Sequence, residues 1–223
     1  MHSPSVKMDN KNDTIINDKT VLGKDPAVSF PGPDTKISRK RGIGMLKRPE
    51  PAEYPSYYRE YVELVPEGRI LDIFESQEKE LEELVQNLTE EQLLFRYAPG
   101  KWSVKEMIGH VTDTERVLSY RAMCIARGEQ TPLPGFNEEE YVKNADFDRL
   151  SVRGLLGHFS AVRRGTIHLF KSLRPDDWLK SGTANGFPIT VRALAYIIAG
   201  HALHHQNIIR ERYLKAKDFP AKG

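Results

Sequence analysis

Four stretches of the chain carry apolar residues at helical spacing. The first covers about 69–88, where Leu71, Phe74, Leu81, Leu84, Val85 and Leu88 share one face. The second opens at Ser103, whose pairing with Glu106 reads as a capping box, and runs to about Arg127 with Gly128 as its stop. The third spans about 151–173, carries Leu155, Leu156, Phe159, Val162 and Phe170, and ends before Pro175. The fourth takes Thr190 as its N-cap and continues to about Leu214. Asn87-Leu88-Thr89, Pro99-Gly100 and the Pro/Gly loop Thr131–Phe136 separate these stretches. A short helix is expected around Glu138–Val142, and the turn-rich link Ser181–Pro188 reads as a small hairpin or a plain loop. No alternating strand series, internal repeat or Gly-rich phosphate loop interrupts the pattern. The expected fold class is all-α, in its simplest form a four-helix bundle.

The N-terminal part has a different texture. Residues 1–44 are rich in Asn, Asp, Lys, Ser and Pro without a hydrophobic period, and read as a disordered tail. Residues 45–68 hold Tyr54, Tyr57, Tyr58, Tyr61 and several prolines, and read as an irregular aromatic arm lying on the core. The bundle is assigned to 69–223.

Composition narrows the partners. The chain has 33 Lys/Arg and 31 Asp/Glu; residues 1–44 hold 8 and 5 of these, leaving 25 and 26 for the rest. The folded part is thus near neutral, and nucleic-acid binding has no electrostatic support. No run approaches the ~20 apolar residues of a membrane span, and no secretory pattern opens the chain. No membrane partner and a cytoplasmic location are the expectations. The single cysteine, Cys124, sits in an apolar helical run and reads as a small buried hydrophobe.

Histidine placement carries the chemistry. Taking about 100° per residue from Val191, His201 and His205 fall near 280° and 320°, inside the stripe of Leu194, Ile197, Ile198 and Ile208. His204 falls at its edge, near about 220°. Two histidines one turn apart can put both rings on one ion. The alternative is two core histidines with separate hydrogen bonds. On the second helix His110 lies beside the inward face of Met107, Val111, Thr114 and Leu118. His158 borders the apolar face of the third helix, and His168 lies on its polar face. His158 and His204 are reserve ligands.

The residues Lys101-Trp-Ser-Val-Lys-Glu-Met-Ile-Gly-His110, Asp113-Thr-Glu-Arg116 and His201-Ala-Leu-His-His205 together resemble the DinB/YfiT-like superfamily. The resemblance covers roughly residues 69–215. It implies a four-helix bundle with one divalent metal on a histidine triad, carried over here to His110, His201 and His205. It also implies activities such as metal-dependent hydrolysis, low-molecular-weight-thiol transfer or thiol-dependent isomerisation, and does not imply DNA binding. In many members Arg-Gly-Gln follows the last ligand; here Gln206-Asn207-Ile208 does.

Three neutral imidazoles leave a bound ion its charge and at least one open position. Zinc, nickel, manganese and iron all suit such ligands. The expected function is hydrolysis of a small molecule by ion-activated water. The alternatives are metal-dependent transfer of a low-molecular-weight thiol, and a non-catalytic stress-response bundle with a structural metal. Asp113 and Glu115 follow His110; Asp113, nearer in angle, could orient that ring or move a proton, or be surface charge alone. Thr114 faces inward and could touch bound water. Tyr120 and Arg121 are candidate substrate contacts. A homodimer is a further expectation.

Overall fold

The computed structural model describes residues 46–221; the stretch expected as a disordered tail lies outside them. The architecture is a four-helix bundle. Its long helices are α2 (Ile70–Val85), α4 (Val104–Ala126), α6 (Val152–Lys171) and α7 (Val191–Ile208), the last continued by a π-helical turn over Ile209–Tyr213. Shorter elements are α1 (Arg59–Leu64), α3 (Glu90–Leu94), α5 (Glu138–Ala145) and an antiparallel hairpin of β1 (Ser181–Ala184) and β2 (Phe187–Thr190). No described helix is long and apolar enough to cross a membrane.

Local chemistry sets the boundaries. Ser103 caps α4: its hydroxyl accepts from the Glu106 backbone N–H, and the Glu106 carboxylate accepts from the Ser103 N–H at 2.8 Å. Thr190 caps α7 and Ser151 caps α6 in the same manner. The hairpin turns on Asn185 and Gly186, both with positive φ, as a tight two-residue turn requires.

The packing is not a simple up-and-down series. Both α2 and α4 pack chiefly on α6 and α7, so helices successive in the bundle sequence, α2 and α4, then α6 and α7, lie on diagonals. The long links 86–103 and 172–190 permit that crossing. Two apolar clusters result. One is built around Phe74, Phe170, Trp178 and Ile197, the other around Trp102, Met107, Phe159 and Tyr213.

Between them runs a polar layer that the helical periods did not disclose. Arg163 of α6, with no exposed surface, donates from Nη2 at 2.8 Å and from Nε at 2.9 Å to the Glu115 carboxylate of α4. Its Nη1 donates to the Phe74 carbonyl at 3.1 Å and to Gln77 Oε1 at 3.0 Å on α2. Gln77 in turn donates to the Ala199 carbonyl of α7 at 2.8 Å. The guanidinium lies between the Phe74 and Phe159 rings, 4.8 and 4.9 Å from their centroids. All four helices are thus tied through one ion pair, and Glu115 is a buried partner of Arg163, not a surface charge.

The aromatic arm is also more regular than expected. Tyr61, Val62 and Val65 are buried, and α1 forms because these positions fall on one side and meet α7. The approach is close enough to require glycine. A Cβ added at Gly200 of α7 would sit 1.9 Å from the Tyr61 carbonyl oxygen.

Candidate metal centre

Three histidine rings, one from α4 and two from α7, converge in the bundle interior. His110 Nε2 lies 3.0 Å from His201 Nε2, and His205 Nε2 lies 3.1 Å from the same atom. Two ligands at the ~2.0–2.1 Å bond length of an imidazole–zinc contact, at right to tetrahedral angles, stand about 2.9–3.4 Å apart. The spacing fits a shared ion. All three side chains are buried, and burial pushes His110 down to about 3, with the neighbouring His204 ring adding to the effect. Burial likewise holds His201 and His205 well below the ordinary histidine range, reinforced by the adjacent rings. The rings are therefore neutral near pH 7, the form that ligates.

Neighbours fix the rings. The Trp102 ring lies 4.6 Å from that of His110, and the Tyr61 ring meets His201 edge-on at 5.4 Å. His205 Nδ1 has no hydrogen-bond partner among the described residues, and that ring lies against those of His201, His110 and His204 at 4.5, 4.8 and 5.1 Å.

Among the described residues, no fourth His, Cys, Asp or Glu joins the group. His158 and His168 are exposed on α6, and His204 is half-buried with its ring against Tyr61 at 5.2 Å. Asp113 is not brought in either: its carboxylate accepts from Arg116 at 2.6 Å on the outer side of α4, where a step of three residues has carried it past His110.

The unclosed side of the triad faces a cavity. His110 and His201 form part of its wall, with Thr114, Leu118 and Arg121 of α4 beside them. Tyr57, Tyr58 and Tyr61 close it from the N-terminal arm; Phe136, Glu138 and Asn185 close it from the loop after α4 and the hairpin. That loop is stitched to the hairpin by Leu133 and Asn185, whose N–H groups donate to the Thr183 and Leu133 carbonyls at 2.8 and 2.9 Å. The free space is about 50 Å³ counted over positions open to a water centre, room for a few waters at ~10–15 Å³ each.

Three polar groups in this wall stand out. The Thr114 hydroxyl is buried and has no hydrogen-bond partner. Burial raises the Glu138 carboxyl above the usual carboxylate range, and the neighbouring Glu139 adds to the rise. Arg121 is buried to 3% exposure and donates from Nη2 to the Pro134 carbonyl at 2.6 Å. Tyr120, by contrast, is exposed on the outside of α4. Glu138 had no signal in the sequence beyond its place at the start of a short helix; only the folding back of α5 over α4 makes it part of the wall.

The family model of the DinB superfamily matches residues 73–209, more than half of the chain. The chain belongs to the DinB superfamily. Among relatives, it is 28% identical over 128 residues to a Bacillus mycoides protein provisionally named a metal-dependent hydrolase, covering 56% of this chain and 73% of that protein. Among solved structures it resembles YfiT from Bacillus subtilis, described provisionally as a metal-dependent hydrolase with an unusual four-helix bundle topology. That likeness has a TM-score of 0.60 at 19% identity and covers 76% of this chain and 92% of YfiT. In this DinB member α2 lies diagonal to α4 and α6 to α7, unlike an up-and-down bundle.

Proposed function

We propose that this DinB member is a metal-dependent hydrolase of a small molecule, with one divalent ion held by His110, His201 and His205. The observation that carries the reading is the meeting of three buried Nε2 atoms, two of whose rings, His110 and His201, form part of the wall of a cavity. A triad without a fourth protein ligand also favours an open catalytic site over a closed structural one.

A divalent ion at this position supplies Lewis acidity toward water or a substrate carbonyl. The chain's own residues do the rest. The Thr114 hydroxyl, unpartnered within the protein, orients a water or substrate oxygen in the cavity. Glu138 accepts a proton at a carboxylate oxygen and returns it to the leaving group, and burial raises its affinity for protons. Tyr57, Tyr58 and Tyr61 limit the access of bulk water.

The test is elemental analysis of wild type and His201→Ala, followed by a hydrolase screen of the loaded protein with and without small thiols. About one ion per chain in the wild type and none in the variant supports the centre. Turnover without thiol supports hydrolysis; turnover only with thiol makes the protein a thiol transferase on the same three ligands. A wild type that takes up no ion ends the reading.

A further inference from the structure

Arg121 has no role in holding the triad, yet its guanidinium is sealed into the same cavity. It is 3% exposed, and among the described residues it forms no ion pair. A guanidinium carries five N–H donors. Here one hydrogen bond is made, to the Pro134 carbonyl, and the Phe136 ring lies under the charge at 5.8 Å. A buried cation without a carboxylate is costly unless something completes it. The only described carboxylate in the cavity wall, Glu138, does not pair with it. Three phenols complete the surroundings. Burial raises Tyr57, Tyr58 and Tyr61, so they remain neutral donors.

We infer that Arg121 is the anchor for an anionic group of the substrate, and that the substrate is a small carboxylate. The inference rests on the hydrolase reading for the word substrate, but the anion site itself stands on Arg121 alone. A carboxylate fits better than a phosphate. One guanidinium supplies one charge in a fork that matches a planar two-oxygen group. Among the described residues no second Lys or Arg lines the cavity to neutralise a dianion, and the free space holds only a few waters. Placed there, the carboxylate lies in the cavity whose wall includes Thr114 and His201, so the anchor orients the rest of the molecule toward the triad.

The test follows the Arg121 Nε–Hε resonance of the full-length protein during titration with acetate. It is run on protein as purified, with its metal content measured, and again after chelation, so that acetate binding to an ion is separated from binding at Arg121. Expected is a saturable shift of this resonance in both states, with the backbone amide of Thr114 shifting alongside it; in the variants, which lack the Arg121 signal, the acetate response of that amide should weaken at least 10-fold in Arg121→Met and be partly restored in Arg121→Lys. Sodium chloride at equal ionic strength should not reproduce the shift. An Arg121 resonance that stays still in wild type, or moves equally with chloride, overturns the inference, even if Arg121→Met does not fold. A shift seen only in metal-loaded protein assigns the acetate to the ion and also overturns it. Loss of metal binding with the shift intact would remove the hydrolase reading and leave the anion site standing.

Discussion

Gly200 offers the sharpest check on how the arm meets the bundle. In the middle of a helix, Gly→Ala ordinarily stabilises by about 1 kcal/mol. At Gly200 the sign should reverse. The added Cβ would lie 1.9 Å from the Tyr61 carbonyl oxygen and 2.4 Å from its carbon, where ordinary contact begins at 3.4 Å. The α1 backbone must then retreat by about 1.5 Å, and overpacking of this kind costs roughly 1–3 kcal/mol. Set against the helix gain, the net loss is about 1 kcal/mol, a Tm lower by roughly 2–4 °C for a domain of this size. Thermal unfolding by circular dichroism is the assay. Gly157→Ala on α6 is the control, because a Cβ there meets nothing within 4 Å, and it should stabilise slightly. Because Tyr61 moves with α1, Gly200→Ala should also loosen the cavity wall beside His201 while leaving metal content unchanged. A Gly200→Ala protein as stable as wild type would refute the contact.

Three further outcomes are expected. Glu115→Ala leaves Arg163 charged and buried, and should cost about 3–5 kcal/mol in urea unfolding; a loss under about 1 kcal/mol would show that the ion pair does not hold the helices together. Glu138→Gln should lower turnover by about 10²–10⁴ and remove the acid limb of the pH–rate profile, a limb lying above the usual carboxylate range because burial raises this acid; an unchanged limb assigns the proton transfer elsewhere. In metal-free protein, His110 is held down to about 3 while the unfolded chain titrates near about 6.5, so unfolding takes up protons across that window. Stability should be full above about 6.5 and fall as pH drops toward 3, by up to about 1.4 kcal/mol per pH unit for each such histidine; equal urea midpoints at pH 7.5 and 5 would contradict the burial.

The long helices were legible because each has one clear apolar stripe and a recognisable cap. The box at Ser103 and the cap at Thr190 set the starts of α4 and α7 to within a residue. The short helix at Glu138 was expected between two loops, whereas the link Ser181–Pro188 left hairpin and plain loop open, and the positive-φ pair Asn185-Gly186 makes it a hairpin. The angular positions of His201 and His205 on the apolar stripe correspond to buried rings for the same reason. What escaped notice depends on partners distant in sequence. Glu115 and Arg163 look like ordinary helix charges until α4 and α6 face each other. The α1 turn forms through contact with Gly200, 139 positions beyond Tyr61, and has no period of its own. Asp113 sits close to His110 in sequence, but helix rotation carries it to Arg116 and the outer surface.

The family match begins at residue 73, whereas Tyr57, Tyr58 and Tyr61 precede it. The wall of the cavity therefore straddles the edge of the match: His110 and His201 lie inside the segment that fits the DinB model, and the three tyrosines lie before it. What the cavity admits is thus set in part by an arm outside the matched segment, whose backbone at Tyr61 rests against Gly200.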